Sequence, residues 1–461
     1  MVRLSVATAL ASVLAVSAVS TQKQEPPPGG EPKAFKLPAK KSFQLDNGLG
    51  ATLVPYGTLP KVTVSVIVRS GNLNEGADET WLADLTADLM KEGTATRGAE
   101  ALASEVAAMG GELTISTGLD ETTVASDALS ENAGGLVRLL ADVVRHSAFP
   151  ASELGRLQKD MVRNLSIAKS QAQPLAEERF MELLYPNHPY GRVFPTEEMI
   201  GSYDIERVKT FYQTNFGAQR THVYVAGMFD EGDVEEAIRE SFGDWGRGQE
   251  PLIKPPKPVT KRVVHLINRP GAPQSTLRIG LPVVDPSHED YMALQVTNAL
   301  LGGSFGSRIT SNIREDKGYT YSPSSAVGVR YRAAHWVESA DVTTADTGAA
   351  MREIFNEIQR LQEEAPSANE LEGIQNYVAG IFVLRNSSRE GVIGQLAFLG
   401  LHGLPDAYLT TYVKNVYAVT PTDVQRIAKD YLQDPTMTIV VVGDRAQIRE
   451  QLTPFGQVVE Q

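Results

Sequence analysis

The sequence predicts an α+β protein built from two homologous α/β sandwich domains in tandem, and three observations predict it. A Pro/Lys-rich stretch, QEPLIKPPKPVTK at 249–261, divides the chain into halves of similar size. The two halves end alike. IERVKTFYQTNFGAQRTHVYVAG (205–227) and TDVQRIAKDYLQDPTMTIVVVG (422–443) each run from an apolar-striped helix through a polar turn into an alternating strand that closes on Gly. With Gly227 laid on Gly443, Val208 falls on Val424, Phe211 on Ile427 and Phe216 on Leu432. A second pair, SENAGGLVRLL (130–140) and TADTGAAMREI (344–354), sets Gly134 on Gly348 at nearly the same spacing, as a duplication requires.

Taken in order, residues 1–20 combine one basic residue, Arg3, an uncharged run and the small residues Ala18-Val19-Ser20. That pattern predicts an export signal, cleaved to leave a soluble periplasmic protein; a retained anchor is the alternative, but the run is short for a span of ~20 residues. Residues 21–40, rich in Pro, Gly and Lys, read as a disordered tether. The first domain, 41–248, opens with the strand SFQLD before an Asn47-Gly48 turn. A strand at 63–68, a helix within 80–94, the helix AEALASEVAAM, strands at 112–117 and 122–129 and a helix from 131 follow. Such mixed runs indicate α+β layers rather than a doubly wound sheet. Residues 249–261 are the linker, and the second domain, 262–461, is almost wholly helical from 367 to 432.

Composition narrows the chemistry. Of 461 residues, 43 are basic and 56 acidic, a net charge of −13 that argues against nucleic acid and anionic lipid as partners. Cysteine is absent, which excludes disulfides, thiolate ligands and a thiol nucleophile. The seven histidines (146, 188, 222, 265, 288, 335 and 402) include no two within four residues, so no helical His pair exists.

The stretch TWLADLTADLMKEGT (80–94) places Asp84, Ala87 and Asp88 at i, i+3 and i+4, a spacing able to hold a metal on one helix face. With its strand and its closing Gly93-Thr94, this helix resembles the metal helix of the insulinase-like, pitrilysin-type zinc peptidases (family M16), of the fold shared with LuxS and the mitochondrial processing peptidase. Active members carry H-x-x-E-H there. Here Asp84 stands for the first His, Ala87 for the Glu and Asp88 for the second His. The third ligand, a Glu about 75 residues on in the family, falls at Asn164. Two Asp residues offer hard oxygens suited to magnesium or calcium more than zinc, and Ala cannot deprotonate water. The pattern therefore predicts no metal bound by this chain, with Asp84 and Asp88 solvating a helix face.

Two further stretches carry the resemblance. MELLYPNHPYGRVFPTEEMIGSYD (181–204) is similar to the family's H-P-Y-G-x-x-x-x-G-T-x-E stretch, with Pro195 where Gly is usual and His188 read as structural. LLGGSFGSRITSNIREDKGYTYS (300–322) is similar to the family's G-S-R-L-x-x-x-L-R-E-x-x-G-L-A-Y-S. Sequence alone leaves Arg314 as a surface partner of Glu315 or Asp316 and Tyr321 as a packed strand residue. The resemblance implies that Arg314 and Tyr321 reach a zinc site, bind substrate backbone and steady the oxyanion, an ability both side chains have. It also implies a substrate loop at Gly302, Gly303, Ser304, Phe305 and Gly306, as in the α subunit of the mitochondrial processing peptidase.

The expectation that follows is a non-catalytic subunit of an exported heterodimeric metallopeptidase. It closes a chamber over an H-x-x-E-H partner that holds the zinc, and it donates Arg314 and Tyr321. An inert peptide-binding scaffold of the same fold is the alternative, and an Asp-based metallopeptidase acting alone is a third.

Overall fold

The computed structural model describes residues 35–460, so the expected signal and most of the expected tether lie outside the described residues. The first half forms one six-stranded sheet from β1 (Lys41–Gln44), β2 (Gly50–Pro55), β3 (Lys61–Val68), β4 (Thr114–Thr117), β5 (Thr122–Leu129) and β6 (Thr221–Gly227), in the order β1-β2-β6-β3-β5-β4. The second half forms another from β7 (Val263–Asn268), β8 (Gln274–Val283), β9 (Ser324–Arg330), β10 (Ala333–Thr343), β11 (Thr438–Gly443) and β12 (Val458–Glu460), in the order β12-β7-β11-β8-β10-β9. Element for element these are one arrangement. β2 pairs parallel with β6 and β6 antiparallel with β3, as β7 does with β11 and β11 with β8. Only the outer strand differs, β1 antiparallel in one and β12 parallel in the other. The superposed residues Val208 and Val424 are both fully buried, and Gly227 and Gly443 both end the central strand.

Both faces of each sheet are covered, so β11 reads as a continuous apolar run and β3 is buried along its length although Thr63 and Ser65 alternate with its valines. Val62, Val64 and Val66 face the helices of their own half, and Leu277, Ile279 and Leu281 do so in the second. The opposite faces are covered by an exchange. The helix Ala172–Leu184 of the first half sets Ala176, Phe180, Met181 and Leu184 on Val337, Val440 and Val442 of the second sheet. The helix Arg389–His402 returns Val392, Ile393, Leu396 and Leu399 onto Val54, Ile67, Tyr224 and Ala226 of the first. Burying each such side chain stabilises by ~1.5–3 kcal/mol, so each half depends on the other. Gly280 is needed here: a Cβ on it would lie 2.9 Å from the Phe180 ring and 2.2 Å from the Trp336 carbonyl oxygen.

The exchange keeps its polar anchor in both copies. Thr63 donates to Asp127 (2.5 Å), and Arg389 donates to both, at 2.9 and 3.0 Å. In the other half Thr276 donates to Asp341 (2.5 Å), and Gln173, at the matching helix start, donates to that carboxylate.

One expectation is corrected. Residues 35–40, taken as tether, lie on the second half: Phe35 meets Phe382 edge-on at 5.0 Å, and Lys40 Nζ is 2.6 Å from Asp406 Oδ1. Their aromatic and aliphatic side chains find an apolar surface that composition alone does not reveal. Helices 172–184 and 389–402 pack on the sheets of the opposite halves, an arrangement for which the sequence reading made no expectation.

Candidate functional site

Strand β3 delivers the chain to a short turn, Asn72–Asn74, and then to the helix Leu82–Lys91. That helix enters through Trp81, held in the left-handed region (φ 69°, ψ 13°), a conformation costing ~1–2 kcal/mol for a side-chain-bearing residue. Trp81 is itself half-buried. Its indole Nε1 donates to the Val193 carbonyl at 3.0 Å and its ring meets Phe194 edge-on, contacts that offset the backbone cost.

The helix face bears little resemblance to a hydrolytic zinc site. Asp84 Oδ2 accepts from Asn72 Nδ2 at 2.7 Å, and burial, followed by the neighbouring Asp88, raises its carboxyl above the usual range. Asp88 is engaged by Lys91 at 3.0 Å. Ala87, expected on the polar face, is 4% exposed and belongs to the core, because the helix packs on that side too. Asn164, at the third-ligand position, is exposed on the helix Ala151–Lys169. A hydrolytic zinc takes three protein donors, imidazole or carboxylate, beside a bound water. Two engaged carboxylates, a methyl group and an amide do not fit that demand. Among the described residues no cluster of three or more His, Cys, Asp or Glu is placed to hold a metal.

Glu75 lies behind this face and escaped sequence reasoning. It is 6% exposed, and its Oε1 accepts from the Ala83 amide (2.9 Å) and from Asn72 Nδ2 (3.0 Å). Burial raises its pKa from 4.5 to about 8, outweighing those donors, and Asp84 adds to the rise. The Asn72 amide thus bridges two carboxyl groups that both resist ionisation. No local pattern marks Glu75, since its contact at Ala83 forms only once the turn and helix have folded together. His188 is structural, as read: Nδ1 accepts from the Tyr190 amide at 3.2 Å, and Nε2 meets the Lys254 carbonyl at 2.9 Å, tying the linker down.

The Arg/Tyr segment has a different character. Ala299–Gly303 and Thr310–Asp316 are both π-helical, a geometry frequent at functional sites, and they flank the glycine-rich loop. Arg314 lies on the second of these. Its guanidinium sits 4.3 Å from the centroid of the Phe305 ring and pairs with Glu315 at 3.3 Å. Phe305 is 71% exposed and Tyr321 86%. The expectation of a packed Tyr321 therefore fails; the residue precedes β9 in irregular chain and presents its phenol outward. Gly302 is buried and Gly303 half-buried, whereas Phe305 and Gly306 are exposed, so the loop spans core and surface. Arg308, in the same motif, is bidentate to Glu370 at 2.7 and 2.8 Å and fastens the segment to the helix Ala368–Arg385.

Two family models cover the chain in succession. "Insulinase (Peptidase family M16)" matches residues 55–195, and "Peptidase M16 inactive domain" matches 202–378. Together with the paired sheets, these matches identify the fold and the degenerate helix as those of an M16 peptidase-like protein: the chain belongs to the insulinase-like peptidase family M16. An uncharacterized zinc protease of Bacillus subtilis is 23% identical over 372 residues, covering 77% of this chain and 89% of that protein. One of Mycobacterium leprae is 29% identical over 312 residues, 65% of this chain and 69% of the relative. Among solved structures, a peptidase M16 inactive domain from Pseudomonas fluorescens superposes with a TM-score of 0.82 at 23% identity, covering 88% of this chain and 98% of that one. A protease from Helicobacter pylori gives 0.82 at 20% identity, with 88% and 100% covered.

Proposed function

We propose that this chain is the non-catalytic subunit of an exported M16-type zinc metallopeptidase. It acts in the periplasm, where it pairs with a catalytic subunit bearing H-x-x-E-H, closes the chamber around peptide substrates and donates Arg314 and Tyr321 to the partner's site. The zinc belongs to the partner. One contrast carries the reading: the metal helix offers an engaged Asp pair and a buried methyl, while Tyr321 and Phe305, on whose ring Arg314 sits, are exposed. A phenol and a guanidinium supply hydrogen bonds to a carbonyl oxygen gaining negative charge, and neither needs to move a proton. The chain supplies no general base at position 87, so it has no means of activating water at this helix.

The alternative, an inert peptide-binding scaffold of the same fold, draws support from the Arg314–Glu315 pair, which already engages the guanidinium within the chain. Affinity purification of the tagged chain from its native source, with zinc analysis and a fluorogenic peptide assay on the isolated chain and on what it captures, separates the readings. The proposal expects no zinc and no turnover in the isolated chain, and both in a captured complex containing an H-x-x-E-H homologue. Stoichiometric zinc with hydrolysis by the isolated chain contradicts it.

A further inference from the structure

The duplication gives the second half its own counterpart of the degenerate metal cleft. In the first half that place lies among the helix Leu82–Lys91, the edge strand β4 and the helix Ala151–Lys169. The matching elements of the second half are the helix Tyr291–Asn298, the edge strand β9 and the helix Ala368–Arg385, and a cavity of about 490 Å³ lies among them. The correspondence reaches single residues. Pro150 and Ser367 cap the two long helices, and Asn164 and Ile381 stand equally far from those caps; Ile381 lines the cavity.

The cavity walls are aromatic and rich in donors, and among the described residues no carboxylate lines them. Arg385 lies at the wall, and among the described residues its side chain has no ion pair and no hydrogen bond. Arg385 is an exposed residue, so its guanidinium stands at the open rim of the cavity. The hydroxyls of Tyr377, Tyr408 and Tyr412 also lack a protein partner among the described residues. Burial raises Tyr408 and Tyr412 above the ordinary phenol range, so both remain O–H donors. Phe382 stacks on Tyr412, with centroids 4.0 Å apart, and forms a flat apolar wall.

At the floor, Asn298 Oδ1 accepts from Ser325 Oγ (2.8 Å) and Trp336 Nε1 (2.9 Å). Behind Ser325, Glu338 is 1% exposed and neither of its oxygens has a partner among the described residues. Burial pushes this carboxyl well above the usual range, so it adds no negative charge. Gly302 closes over it; a Cβ there would lie 2.7 Å from Glu338 Oε2 and 2.6 Å from Ser325 Oγ.

We propose that this cavity is a binding site for a peptide carboxylate, with Arg385 as its counter-charge and the aromatic walls holding the adjoining apolar side chain. The volume suits a few residues of peptide, within the ~300–1,000 Å³ of ordinary ligand sites. A guanidinium–carboxylate pair flanked by phenol donors supplies the directional part of recognition. The carboxylate comes from a free C-terminus or from an acidic side chain. The site lies within this chain alone and needs no partner subunit, so it stands or falls separately from the proposed subunit role.

Isothermal titration of the purified full chain tests it with three probes: acetyl-Ala-Ala-Phe with a free carboxylate, the same peptide as its C-terminal amide, and acetyl-Ala-Asp-Phe-amide. At least one acid-bearing probe is expected to bind tenfold or more tightly than the neutral amide, and which one does so identifies the source. Arg385→Gln, at an exposed position, is expected to abolish that preference while leaving the melting temperature unchanged. Tyr408→Phe is expected to weaken the preferred probe several-fold. Equal affinity for all three probes, absence of binding up to millimolar concentration, or a preference that survives in Arg385→Gln overturns the proposal.

Discussion

Replacing Glu75 by Gln gives a stability test whose sign and pH window follow from the structure. Glutamine keeps the Oε1 acceptor that serves the Ala83 amide and Asn72, and removes only the ionisable proton. Folded Glu75 has a pKa of about 8 against 4.5 for an unperturbed glutamate. Between those values the folded chain holds a proton that the unfolded chain has released. Wild-type stability therefore falls as pH rises from 4.5 to 8, by up to ~1.4 kcal/mol per pH unit from this group. Relative to Gln, the loss is near zero at pH 4.5, roughly 3 kcal/mol at pH 7, and constant above about pH 8. At ~2–4 °C per kcal/mol for large domains, Glu75→Gln should melt several degrees higher at pH 7 and alike at pH 4.5. Differential scanning fluorimetry across that range reads the difference. A gap independent of pH, or a Gln variant less stable than wild type at pH 8, refutes the argument.

Other expectations bear on the fold and the site. Phe180→Ala should cost ~3–5 kcal/mol and lower the melting of both halves together, seen as one shifted transition in calorimetry; a second, unshifted transition would mean that the exchanged helix does not couple them. Wild type should bind no zinc by equilibrium dialysis, whereas the combined change Asp84→His, Ala87→Glu, Asp88→His and Asn164→Glu should bind about one ion, because it restores three donors to the helix pair. In the reconstituted complex, Phe305→Leu should reduce turnover several-fold and Phe305→Tyr should preserve it, since the ring under Arg314 contributes ~0.5–2 kcal/mol of cation–π attraction.

Much of the scaffold was legible because it is periodic. β3 and β5 alternate cleanly, the run from 367 to 432 is helical with a clear apolar stripe at its last helix, Pro421–Tyr431, and the closing glycines fix the repeat. The exchange of Ala172–Leu184 and Arg389–His402 was not legible. A sequence shows that a helix has an apolar face, and nothing local names the sheet that receives it. The degenerate helix was readable as a set of missing donors, yet Ala87 was misplaced because neighbours bury a flank that periodicity assigns to solvent. Arg314 and Tyr321 were identifiable as a motif only. The seat of Arg314 on Phe305 joins a residue inside a π-helical segment to one in the loop before it, a geometry that no local sequence pattern marks. Glu75, Glu338 and Arg385 owe their character to burial or to missing partners, both of which are tertiary properties.

The most direct test of the auxiliary role is peptide turnover by the complex of this chain with its H-x-x-E-H partner, measured for wild type, Arg314→Ala and Tyr321→Phe with complex formation checked by gel filtration. The account predicts an intact complex whose kcat falls ~10²–10³-fold when either donor is removed. Unchanged turnover by both variants in an intact complex would contradict it.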